Sequence, residues 1–151
     1  MTVESGLWGW IYRGIRFPFA KIGHVHRHEN SASSGTPDVE GFLNSPGLGQ
    51  FWIELKSTAR PAKAETLVRF KFRPKQVPWL TRRWRLGGVC YLLCQVGTGA
   101  TAMRYLIEGR HAGDVERGLP ESELLRLSVI NPTANAVAIL TRAAAARIYK
   151  E

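Results

Sequence analysis

Acidic residues are scarce in this chain, cysteines scarcer, and long apolar runs are missing. Twelve Asp+Glu stand against 21 Lys+Arg in 151 residues, a formal net charge of +9 and a pI near 10.2. That imbalance points to polyanionic partners, either nucleic acid or an anionic membrane surface. The two cysteines, Cys90 and Cys94, lie at i,i+4 in VCYLLCQV. On one strand they would sit about 13 Å apart, too far for a disulfide. Zinc would need further ligands nearby, so free buried thiols are expected. The longest apolar stretches, such as Gly87 to Leu93, fall far short of the roughly 18 residues that span a bilayer. The opening MTVESGLWGWIYRGIRF lacks the basic start and continuous apolar core of a signal peptide. What remains is ordinary for a globular chain: 44% hydrophobic and 22% charged residues, enough to bury a core in one domain without staples.

Periodicity gives a coarse order of elements. Residues 3–14 carry Val3, Leu7, Trp8 and Ile11 at helical spacing, with two glycines weakening the pattern. Strands are predicted at 22–28, 37–43 and 51–57, with a small-residue loop over 30–36 and a Pro/Gly turn over 44–49. LVRFKFRPK alternates strictly: Arg69, Lys71 and Arg73 on one side, Val68, Phe70 and Phe72 on the other. It reads as a strand or extended segment with one basic face. Pro74 can open a helix that puts Gln76, Leu80 and Arg83 on one face and ends at Gly87–Gly88. A buried strand follows at 89–96 and another at MRYLIEG. The remainder reads as helical, with a start at Pro120 and a cap at Asn131–Pro132. The order predicts an α/β sandwich around one central sheet.

The chemistry-bearing residues lie in GTPDV (35–39) and WIELKS (52–57). Glu54 follows Asp38 by sixteen positions, enough for a strand to run out, turn at Ser45–Gly49 and return beside itself. Glu54 and Lys56 are i,i+2 and share a face, while Ile53 and Leu55 point to the core. Two carboxylates and an ammonium placed together are costly unless something uses them. Hard cations such as Mg2+ choose carboxylate oxygens. A cation there can polarise a phosphate and activate water, and the lysine can orient or help deprotonate that water. The competing reading is a half-buried hairpin with a Glu–Lys pair at its edge.

G-x-P-D followed by W-I-E-L-K resembles the PD-(D/E)XK nuclease superfamily, with the VRR-NUC and Holliday-junction-resolvase branches most similar, over about residues 4 to 107. The resemblance implies a restriction-endonuclease-like fold: a mixed central sheet flanked by helices, in the order αβββαββ plus C-terminal helices. A nuclease core is expected over 1–109, with 110–151, which lies outside the resemblance, a helical extension that packs on the core or forms the dimer contact. The resemblance implies Mg2+- or Mn2+-dependent hydrolysis of DNA, branched DNA such as a Holliday junction being the favoured substrate. Asp38, Glu54, Lys56 and Gln76 match catalytic positions. The metal set would be Asp38, Glu54, Glu4 and, through its main chain, Leu55. Glu4 also reads as a helix N-terminal charge, and Glu29 is an alternative extra carboxylate. Related resolvases act as homodimers, so a homodimer is implied, with no organic cofactor and no membrane. The expected location is intracellular and cytoplasmic, including a phage-encoded enzyme acting in its host.

From Lys56 through Arg85 the chain carries ten basic residues and one acidic residue, Glu65. Such a track beside a phosphate-cleaving site would bind backbone, with Arg69, Lys71, Arg73, Arg82 and Arg83 as contacts. Arg27 is a further candidate. His24, His26 and His28 alternate on one strand. Two could share a zinc but three along a straight strand could not, and solvent- or phosphate-facing rings are expected. Trp8, Trp52 and Trp84 are expected in the core, while Trp10 or Trp79 could stack on an unpaired base. Two other readings stay open: a non-catalytic DNA-binding or assembly protein on the same fold, and an RNA nuclease.

Overall fold

The computed structural model describes residues 3–28 and 35–145, with residues 3–5 described by backbone alone. Five strands form one sheet in sequential order: β1 (Gly23–Arg27), β2 (Val39–Leu43), β3 (Gln50–Thr58), β4 (Cys90–Val96) and β5 (Met103–Glu108). The β1–β2, β2–β3 and β4–β5 pairs are antiparallel, and β3–β4 is parallel. A parallel pair cannot be closed by a hairpin and needs a long crossover. Residues 59–89 supply it and carry α2 (Gln76–Arg85). Helix α1 (Val3–Ile15) precedes the sheet, and α3 (Ala112–Arg117), α4 (Glu121–Leu127) and α5 (Ala136–Ala144) follow it. The result is a mixed five-stranded α/β fold with flanking helices.

Alternation along β3 assigns the two faces. Phe51, Ile53 and Leu55 are fully buried on one side, where α1 and α5 pack. Trp52, Glu54 and Lys56 point to the other, where α2 meets them through Gln76 and Trp79. Strand β4 lies between β3 and β5 and is buried along its whole length, as its near-continuous apolar sequence predicts. Cys90 and Cys94 lie within it, both buried and neither in a disulfide among the described residues. Helix α1 buries Leu7, Ile11 and Ile15 at i,i+4 spacing. A Cβ at Gly14 would stand 2.7 Å from the Cβ of Ala136, so the glycine lets α1 and α5 approach closely.

Gly41 in the middle of β2 has a packing reason of its own. A Cβ there would stand 2.2 Å from the ring of Phe51, its cross-strand partner, and that ring is fully buried with nowhere to retreat. Gly41→Ala is expected to destabilise the fold by about 1–3 kcal/mol through overpacking. Thermal melts check this, and an unchanged midpoint would mean the ring relaxes freely.

Several local expectations change. Residues 67–73 do not join the sheet, because β3 already has β2 and β4 on its two edges. Val68 forms one bridge with Leu119, and the segment stays extended with Val68 and Phe70 buried and its basic side chains outward. The buried face of α2 is Gln76, Leu80 and Trp84, whereas Arg83 is exposed, since i,i+4 steps rather than i,i+3 keep to the contact line here. The last helix is capped by Asn135, which accepts from Ala138 N at 2.9 Å. Asn131 instead makes a local turn with Thr133, a common alternative for a short amide side chain. Trp52 is not a core residue but lies half-buried on the face of Glu54 and Lys56.

Candidate active site

The β2–β3 hairpin builds the site. Val39 pairs with Ile53, so Asp38, one residue before β2, comes opposite Glu54. Its carboxylate is fixed from the neighbouring strand: Leu55 N donates to Asp38 Oδ2 at 3.0 Å. Leu55 therefore orients Asp38 through its main chain while its side chain fills the core. Glu54, 1% exposed, projects from the middle of β3 into the layer under α2.

Lys56 is buried beside it. Its Nζ lies 3.2 Å from Glu54 Oε2 and donates to Gln76 Oε1 at 2.8 Å and to Lys71 O at 2.5 Å. An ammonium has three N–H donors, and these three acceptors match them. The Phe72 ring covers the ammonium, 4.4 Å from its centroid. Gln76, in the first turn of α2, ties the group together. Its Oε1 accepts from Lys56 Nζ and from Arg73 N at 2.9 Å, and its Nε2 donates to Glu54 Oε2 at 2.8 Å. That pattern fixes the amide orientation, since only the nitrogen can donate to a carboxylate.

Burial pushes the Glu54 carboxyl up to about 8, and the nearby Asp38 charge adds to this while Lys56 opposes it. With both acids ionised, Glu54 Oε1 is buried without a hydrogen-bond donor among the described residues. A buried carboxylate made costlier to ionise by its neighbour, with one orphaned oxygen, fits a divalent cation, and the donors are the hard oxygens Mg2+ and Mn2+ select. Cys94, in register with Lys56, is pushed up to about 12 by burial and remains a thiol.

A cleft of about 460 Å3 opens on this group, lined by Arg27, Asp38, Lys56, Lys71, Phe72, Arg73, Pro74 and Gln76. Lys71 and Arg73 reach it from the extended segment. Arg27 reaches it although it alternates against the histidines, because it ends β1 at the mouth of the cleft. Arg69 does not: its Nη1 donates to Arg117 O at 2.8 Å and its side chain runs along Gly118. Arg82 and Arg83 line a neighbouring groove with Trp79 and Leu86. Arg83 lies over the Trp52 and Trp79 rings, 5.8 and 5.0 Å from their centroids. Trp10 is covered on the other face by Arg104 at 3.6 Å. Glu4 falls on the first turn of α1, but its side chain, like all of Glu29, lies outside the described residues.

No protein-family model matches the sequence, and no curated protein is significantly similar to it. Among solved structures, the fold is similar to that of Hjc, a Holliday junction resolvase from the archaeal hyperthermophile Archaeoglobus fulgidus. The likeness has a TM-score of 0.40 at 16% identity, over 76% of this chain and 96% of that one. A likeness this distant carries no function across.

Sequence reasoning passed over Glu40 and undervalued two histidines. His26, His28 and Glu40 stand on the same sheet face as the carboxylate pair, with potential ligand atoms all within 4.8 Å of one another. The signal was available: Glu40 is i+2 from Asp38, so the parity that aims one carboxylate at the site aims the next one there as well. Trp52 shares that parity with Glu54, which periodicity also foretold and the apolar-core expectation obscured.

Proposed function

We propose that the protein is a metal-dependent nuclease of the PD-(D/E)XK type that hydrolyses phosphodiester bonds in DNA. The observation that carries the reading is the pairing of half-buried Asp38 with buried Glu54 and its orphaned oxygen, braced by Lys56 and Gln76.

Asp38 and Glu54 would hold Mg2+ or Mn2+, with Leu55 contributing through its main chain and Glu4 able to complete the set. Such a cation supplies charge that polarises the scissile phosphate and acidifies a water. Lys56 supplies a fixed positive charge next to the reacting centre and orients the water by donating to it once one of its present acceptors lets go. Gln76 is a positioning residue: it holds Lys56 and Glu54 in register with each other and with the Arg73 backbone. Water oxygen bonds to phosphorus, one P–O ester bond breaks, and the leaving oxygen takes up the proton that the water gives up. Arg27, Lys71 and Arg73 bind and steer the anionic backbone into the cleft. Arg82 and Arg83 extend the positive surface, and the half-buried Trp79 between them offers a face to an unpaired base. The motif resemblance favours branched DNA such as a four-way junction, cut by a homodimer.

The test is incubation with Mg2+ or Mn2+ on a four-way junction, a nicked duplex, a linear duplex, single-stranded DNA and a matched RNA duplex, with EDTA as control. Metal-dependent cutting with the junction preferred is expected. Binding of all DNA forms without any cutting would replace the enzyme with a non-catalytic binder. Cutting confined to RNA would make it an RNA nuclease.

A further inference from the structure

Three side chains next to the carboxylate pair have a different ligand chemistry. His26 on β1 is in register with Glu40 on β2, and His28 follows two residues on, so all three share one face of the sheet. His28 Nε2 and Glu40 Oε2 are 2.9 Å apart. His26 Nδ1 is buried and without a hydrogen-bond partner among the described residues. The potential ligand atoms all fall within 4.8 Å of one another, close enough for one ion to bridge. We propose that His26, His28 and Glu40 form a second cation site, one that takes a borderline transition-metal ion of the Zn2+ class and is separate from the Asp38–Glu54 pair.

The donor set decides the class of ion. Two imidazoles and one carboxylate suit Zn2+, Fe2+, Co2+ or Ni2+, whereas Mg2+ seeks oxygen donors and keeps its waters. Three protein ligands leave open positions on the ion, the pattern of sites that also take water or a substrate oxygen. The surroundings hold the ligands in place before any ion arrives. Gln50 Nε2 donates to Glu40 Oε1 at 3.0 Å, leaving Oε2 turned toward His28. The His28 ring stacks on Trp52 at 5.4 Å with the planes 22° apart, and the His26 ring is flanked by His24 and His28 at 5.0 and 4.4 Å. Such supports around a ligand raise affinity by limiting what must be ordered on binding. Along β2 the site is two residues from Asp38, and His28 N donates to Asp38 O at 2.7 Å. An ion there would add positive charge on the same sheet face as the nuclease cleft. Cys90 and Cys94 are buried in β4 and do not belong to the set.

The test uses the full chain stripped of metal. Zn2+ is titrated by calorimetry, and Co2+ is added as a visible-absorbing probe. One equivalent should bind, and excess Mg2+ should not displace it. His26→Ala and His28→Ala should each weaken binding at least about 100-fold, Gln50→Ala about tenfold, and His24→Ala little. Asp38→Asn with Glu54→Gln should leave Zn2+ binding intact. If an alanine variant fails to fold, imidazole NMR signals of the wild-type protein decide: those of His26 and His28 must move with Zn2+. No stoichiometric binding, binding lost with Asp38 and Glu54 but kept without His26, or unmoved His26 and His28 signals would each overturn the proposal. Because the readout is binding, absence of nuclease activity leaves it standing and Zn2+ binding leaves the nuclease reading undecided.

Discussion

Lys56→Met should leave a folded protein that cuts DNA about 10²- to 10⁴-fold more slowly, the range spanned by losing one preorganised charge or proton-transfer group. Methionine keeps much of the stem that lies under Phe72 and removes only the ammonium. Removing one partner of a buried ion pair usually costs about 3–5 kcal/mol, because the other charge is stranded. Here Glu54 has an escape. Its carboxyl already holds a proton up to about pH 8, and Lys56 is one of the influences pulling that value down. Without the lysine, Glu54 stays protonated further into alkaline conditions, so the folded state should survive at neutral pH. Lys56→Arg should not rescue activity. The Glu54, Gln76 and Lys71 oxygens converge on a point charge, and a flat, forked guanidinium does not present its donors to a point. Cleavage assays at saturating Mg2+, alongside thermal melts of each variant, separate a chemical defect from a folding defect. A Lys56→Met protein that cuts within tenfold of wild type would sink the role given to the lysine.

Much of the architecture was legible because it rests on two short-range rules. Period-2 alternation marks β3 and puts Glu54 and Lys56 on one face, and the apolar run of residues 89–96 announces a strand covered on both sides. The same rules fail where tertiary competition decides. Residues 67–73 alternate as cleanly as a strand, yet no sheet edge is open to them beside β3, so the pattern shows up as a buried stripe and a basic stripe on an extended segment. Asn131 and Asn135 are equally good caps by residue type. Which one caps depends on where the chain leaves Arg104 N, which donates to Pro132 O. Arg69 belongs to the basic track by sequence and to the α3 end by contact, a distinction set by the bridge between Val68 and Leu119. Gln76 is legible only through motif resemblance, since nothing in its neighbours' composition says that its amide will reach across to both Glu54 and Lys56.

The same Glu54 carboxyl makes stability depend on pH and on divalent metal in opposite senses. Its folded value lies near 8, raised by burial first and by Asp38 second, against an ordinary value of 4.5. Between those values the folded protein keeps a proton that the unfolded chain has released. The unfolded state therefore binds fewer protons, and stability must fall as pH rises through that window and level off above it. A shift of this size corresponds to about 5 kcal/mol, or about 10–20 °C in Tm for a chain of this length. A divalent cation held by Asp38 and Glu54 takes the proton's place, so Mg2+ should raise Tm clearly at pH 8, hardly at all at pH 5, and release a proton on binding near pH 7. His111 acts the other way: burial lowers its value from 6.5, so its contribution grows as pH rises toward 6.5. Subtracting the Glu54→Gln melting curve removes that background, because the variant keeps His111 and loses the carboxyl. The wild-type minus variant difference should slope downward from about pH 5 to 8 without metal and flatten with it. A flat difference without metal, or equal Mg2+ stabilisation at pH 5 and 8, would mean that Glu54 does not hold the proton the cation displaces.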